Sequence, residues 1–70
     1  MIQFGRRLKQ LRGKRKLTQQ ALGELADVRQ ATISGLESGA TQRVEFGALE
    51  RIARALHVEP AALFEKPTDR

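Results

Sequence analysis

Between Leu17 and Gly39 the chain reads LTQQALGELADVRQATISGLESG, a stretch that leaves few architectures open. Leu22, Leu25 and Ala26 fall at i, i+3 and i+4, one apolar stripe of helical period. Asp27 interrupts it, and Val28, Ile33 and Leu36 begin a second stripe. Thr18 is placed to cap the first of these helices, because its hydroxyl can accept from backbone N–H groups that lack an intrahelical partner. Gly39 is placed to end the second in the left-handed conformation. Helices this short gain little by themselves, so both stripes must rest on the remainder of the chain.

That remainder supplies three further apolar segments. Phe4, Leu8 and Leu11 lie at i, i+4 and i+7 and predict a first helix over about residues 3–14. Residues 40–44 carry no periodicity and read as a loop. From Glu45 a fourth helix follows, with Phe46, Leu49, Ile52, Ala53 and Leu56 as its inward stripe. Pro60 suits the first position of a short fifth helix anchored by Leu63 and Phe64, and residues 67–70 read as a loose tail. The expected fold is therefore all-α, a five-helix bundle over residues 1–66, with a helix-turn-helix at about 18–37.

Seventy residues allow one small domain, for which dimerisation is a common supplement. With no cysteine and a single histidine, His57, the sequence offers no disulfide, no metal site and no cofactor site. No nucleophile–base pair or phosphate-cradling glycine loop points to an enzyme. His57 reads as a cap or surface residue. The N-terminus lacks the apolar core of a signal peptide and no apolar run could span a bilayer, so a cytoplasmic protein is expected. Net charge is +5, and residues 1–16 hold seven of the thirteen Lys and Arg with no acid. Such a patch can neutralise phosphates and release counterions. The first helix is also basic and amphipathic, but its apolar face is needed to cover the other helices, which argues against a membrane.

These residues carry a family likeness. Leu17-Thr18-Gln19, the run Gln30-Ala31-Thr32-Ile33-Ser34, Leu36-Glu37 before Gly39, and the closing Ile52-Ala53-x-Ala55-Leu56-x-Val58 resemble the phage repressor/Cro (XRE-type) helix-turn-helix family, whose domain is lambda-repressor-like. The likeness runs from Arg6 to Phe64. It implies a recognition helix at about 29–37, entering the major groove of double-stranded DNA, with base contacts from Gln30, Ala31, Ser34 and Gly35. It assigns phosphate contacts to Gln19 and Arg43, with Gln19 also bracing the recognition glutamine. Thr18 and the helix end it caps can add phosphate contacts, and so can Arg29 and Thr32 at the edges of the recognition face. Arg12 and Glu37 match a structural ion pair of the family, and Glu37 is the sole acid of its helix. Two positions depart from the pattern, Gly23 in place of alanine and Asp27 in place of glycine.

The function implied is that of a sequence-specific transcriptional regulator of a prokaryote or phage, acting as a repressor at the nucleoid and binding a palindromic operator as a homodimer through Leu63 and Phe64. Alternatives are the DNA-binding antitoxin of a toxin–antitoxin pair, with a toxin as partner, and a protein-interaction module on the same fold. The outward face of the recognition helix is small. Gln30 is its one long side chain able to pair bidentately with adenine, so sequence preference is expected to concentrate there.

Overall fold

The computed structural model describes residues 2–67, so the tail expected at 67–70 lies, from residue 68 on, outside the described residues. Four α-helices follow one another, α1 (Ile2–Lys14), α2 (Gln19–Ala26), α3 (Gln30–Ser38) and α4 (Phe46–Ala55), and a 3₁₀ turn (Pro60–Phe64) closes the chain. The last element corrects the expected fifth α-helix. It has five residues, begins with Pro60 and closes with Glu65 N–H donating to the carbonyl of Ala62, so a single tight turn is all it completes.

The core is built from the periodicities themselves. Phe4, Leu8 and Leu11 of α1, Leu22 and Ala26 of α2, Ile33 and Leu36 of α3, and Leu49, Ile52, Ala53 and Leu56 around α4 form one buried cluster completed by Leu63. Helix α1 packs on α3 and the 3₁₀ turn, α2 on α3 and α4, and α4 on the 3₁₀ turn. Two residues expected inside lie outside: Leu25 is 64% exposed and Phe46 69%. In α2 the buried arc runs from Leu22 through Ala26 to Gly23, and Leu25 sits about 60° beyond its edge. Phe46 is the first residue of α4, at the margin of that helix's apolar arc.

Leu63 requires a correction too. It is fully buried by this chain alone, so it belongs to the core and has no surface to offer a second copy. Phe64 is the residue left outward, 59% exposed, with its ring tilted against Phe4 at a centroid distance of 5.1 Å. Beside it Arg7 is buried within the fold. Its Nε donates to the carbonyl of Ala62 (3.0 Å) and its Nη2 pairs with Glu65 (2.9 Å), tying α1 to the end of the chain.

Three helix ends share one geometry. Lys16 (φ 56°), Asp27 (φ 56°) and His57 (φ 60°) each take the left-handed conformation just past α1, α2 and α4. In every case that residue's N–H bonds to the carbonyl three positions back and the next N–H to the carbonyl five back. The latter bonds are Leu17 to Arg12 (3.1 Å), Val28 to Gly23 (2.8 Å) and Val58 to Ala53 (3.0 Å). Helix α3 ends at Gly39 (φ 87°), as its sequence announces.

Candidate nucleic-acid interface

The turn between α2 and α3 fixes the relation of the two helices. Asp27 reverses the chain, and Gly23 lets the turn close: a Cβ there would stand 2.5 Å from the carbonyl oxygen of Val28. Arg51 of α4 reinforces this corner by donating from Nε to the carbonyl of Ala26 (2.8 Å), one of the free carbonyls at the end of α2. Thr18 caps the other end of α2, its Oγ1 accepting from Ala21 N–H at 3.0 Å. Thr18 and Gln20 are exposed at this end of α2, where the helix dipole favours an anion.

Helix α3 is held in place through Glu37. Arg12 grips that carboxylate with Nε (2.6 Å) and Nη2 (2.9 Å), while its Nη1 donates to the carbonyl of Leu17 (2.7 Å). Gln19 Nε2 donates to the same carboxylate at 3.1 Å. The pair is largely buried, with the Arg12 and Glu37 side chains 15% and 5% exposed. Hydrogen bonding to Glu37 raises the Arg12 pKa above the ordinary guanidinium value, burial opposes the rise, and the Glu37 charge adds to it. One carboxylate thus joins α3 to the end of α1 and the start of α2. This is the structural ion pair expected of Arg12 and Glu37, with Gln19 added.

Away from its buried Ile33 and Leu36, α3 exposes Gln30, Ala31, Ser34 and Ser38. Gly35 differs from its neighbours. A Cβ at this position would collide with the Thr41 hydroxyl and lie 3.0 Å from the Thr41 Cβ, so the loop after α3 already fills that place. Arg29, at the N-cap without a side-chain cap bond, lines one hollow of about 310 Å³ with Thr32, Arg43 and Arg51. Asp27 and Glu45 share the lining and leave it net positive. Three residues singled out in the sequence for phosphate contact therefore converge, and Thr18 and Gln19 stand apart from them at the start of α2. Of the seven cations in residues 1–16, Arg7 and Arg12 are committed to the fold, and Arg6, Lys9, Lys14, Arg15 and Lys16 are exposed.

The family model described as "Helix-turn-helix domain" matches residues 3–65. The chain belongs to that family. Among relatives of the helix-turn-helix family, an uncharacterised HTH-type transcriptional regulator, y4aM of Sinorhizobium fredii, is 38% identical over 68 residues, which is 97% of this chain and 47% of that protein. The chain spans about half the length of that curated relative. The restriction-modification controller protein C.AhdI from Aeromonas hydrophila superposes with a TM-score of 0.84 at 33% identity, covering 90% of this chain and 94% of the other. SinR, a master regulator for biofilm formation solved in complex with DNA, superposes equally well at 26% identity, covering 89% and 98%. The phage repressor/Cro-type likeness read from the sequence agrees with these matches.

Within this helix-turn-helix, Thr41, Arg51 and Arg7 were not singled out as site or scaffold residues by sequence pattern. A signal for Thr41 exists: glycine inside a helix is unfavourable, and Gly35 in an outward position implies a neighbour packed against it. Arg7 sits three residues after Phe4, on the buried side of α1, where a charged residue needs a partner. Arg51 lies off the apolar stripe and carries no such mark. Among the described residues no helix is long and apolar enough to cross a membrane, and no group of three or more His, Cys, Asp or Glu could hold a metal ion.

Proposed function

We propose that this chain is the sequence-specific DNA-binding part of a transcriptional regulator, placed on double-stranded DNA in the cytoplasm and acting as a repressor. The observation that carries this reading is the arrangement around α3. Its outward face of Gln30, Ala31 and Ser34 is flanked by phosphate-type donors at two separate places, the capped start of α2 and the Arg29–Thr32–Arg43 hollow. A helix entering the major groove needs such supports on the backbone at either side, and the side chains between them read base edges. The DNA-bound relative SinR and the controller C.AhdI support the assignment by likeness. Gln30 supplies the strongest readout, a bidentate pair with adenine, and Ala31 fits a thymine methyl. Ser34 adds a weak contact.

A homodimer on a palindrome completes the proposal, with half-site centres about 34–36 Å apart. Phe64 is the exposed aromatic at the end of the domain and the residue offered to the second copy. Repression then follows from occupancy of the operator.

The test is selection from a randomised duplex library near physiological salt, followed by sequencing of the bound fraction. A palindromic motif is expected, with one sharply preferred base pair in each half-site that loses its preference in Gln30→Ala. Weak, uniform retention of all duplexes would overturn the reading and favour an interaction module.

A further inference from the structure

Gly35 is the one position on the exposed arc of α3 without a side chain, and the structure shows what stands there instead. At about 100° per residue, its Cα–Cβ direction falls about 40° from that of Ala31 and about 60° from that of Ser38, so it points out with the recognition face. The Thr41 side chain, from the loop that follows, fills that direction. Its placement is fixed at several points. Thr41 N–H donates to the Gly35 carbonyl (3.0 Å), Ser38 Oγ donates to the same carbonyl (3.2 Å), and Ala40 N–H donates to Ser38 Oγ (3.2 Å). The end of α3 and residues 39–41 are thereby locked into one piece. The Thr41 hydroxyl itself has no hydrogen-bond partner among the described residues.

We propose that Thr41 is a specificity-determining residue: it takes the place of the side chain absent at position 35 and reads the base pair facing that position. The proposal rests on the reading of α3 as the recognition helix. A threonine offers a hydroxyl that donates or accepts and a methyl that packs on the thymine 5-methyl group. Its depth suits the rest of the face. Ala31, Ser34 and Ser38 are equally short, so a helix approaching closely enough to use them also brings Thr41 within reach of the groove.

The experiment compares the randomised-duplex selection for the wild-type chain, Gln30→Ala, Thr41→Val and Thr41→Ser, with thermal unfolding of each by circular dichroism. Thr41→Val keeps the shape over Gly35 and removes the hydroxyl, and Thr41→Ser keeps the hydroxyl and removes the methyl. At least one of them is expected to relax the preference at a single base pair per half-site by roughly tenfold. That base pair differs from the one lost in Gln30→Ala, and the other positions and the melting temperature stay as in the wild type. A selective wild type with Thr41 variants that keep every preference, or that lose affinity uniformly across sequences, would overturn the proposal and leave Thr41 as packing. A wild type with no preference at all would overturn both this proposal and the recognition-helix reading.

Discussion

Glu37 has two bonds from one guanidinium and one from the Gln19 amide, all within a largely buried pocket. Removing one partner of such a pair costs more than its net worth, because the charge that remains is stranded away from water. Arg12→Ala is therefore expected to lower the unfolding free energy by about 3 kcal/mol, read by urea denaturation. Replacing both partners by methionine should cost much less than that. The Arg12 pKa is raised in the folded state, so on the alkaline side this contribution holds in full up to the ordinary arginine value and is lost only as pH passes the folded one. A double-mutant loss as large as the single would show the pair to be stabilising in itself. The pairing was legible in the sequence from family likeness and from Glu37 being the sole acid of its helix. The third bond was not, since Gln19 carries no charge pattern that would point it at Glu37 and away from solvent.

At the level of elements, the α-helices were legible because each has an apolar stripe of helical period, with Thr18 marking the start of α2, while Pro60 marked the start of what is only a 3₁₀ turn. The ends of α1 and α2 were read at about residue 14 and at Asp27, as observed, without a glycine to mark them. A stop signal in sequence is a glycine past the last turn, and only Gly39 provides it. Lys16, Asp27 and His57 do the same work with a Cβ in the left-handed region, which costs an L-residue about 1–2 kcal/mol against a smaller entropic penalty for glycine. Lys16→Gly and Asp27→Gly should each raise stability by about 0.5–1 kcal/mol in urea denaturation. The ends of α1 and α2 use separate bonds, so the two gains are expected to add. A loss in either variant would mean that the side chain at that position makes a contact worth more than the strain. The misplaced residues, Leu25 and Phe46, have another origin. A stripe gives the direction of a helix face to within a residue's width, and the packing of α2 on both α3 and α4 decides which edge of that stripe is covered.

Over the whole molecule the surfaces divide. The outward side of α3, the start of α2 and the hollow of Arg29, Thr32 and Arg43 carry the proposed DNA contacts, whereas the closing turn carries Phe64. Phe64 already contacts the Phe4 ring, yet it stays 59% exposed, an arrangement that leaves a large aromatic surface in water unless a second molecule covers it. In a two-fold dimer the same patch serves both copies, so one substitution strikes the interface twice. Phe64→Asp is expected to keep the helical fold, because Leu63 and the Arg7 ties to Ala62 and Glu65 hold the closing turn without it. It should melt somewhat lower through loss of the Phe4 contact, by about 1 kcal/mol. On a palindromic duplex the variant should bind each half-site independently, with 1:1 complexes at low protein where the wild type gives only 2:1. Sedimentation of the protein–duplex mixture reads this directly. A folded Phe64→Asp chain that still assembles two-to-one at the same concentration would place the dimer contact elsewhere, with Phe46 as the next exposed aromatic to substitute.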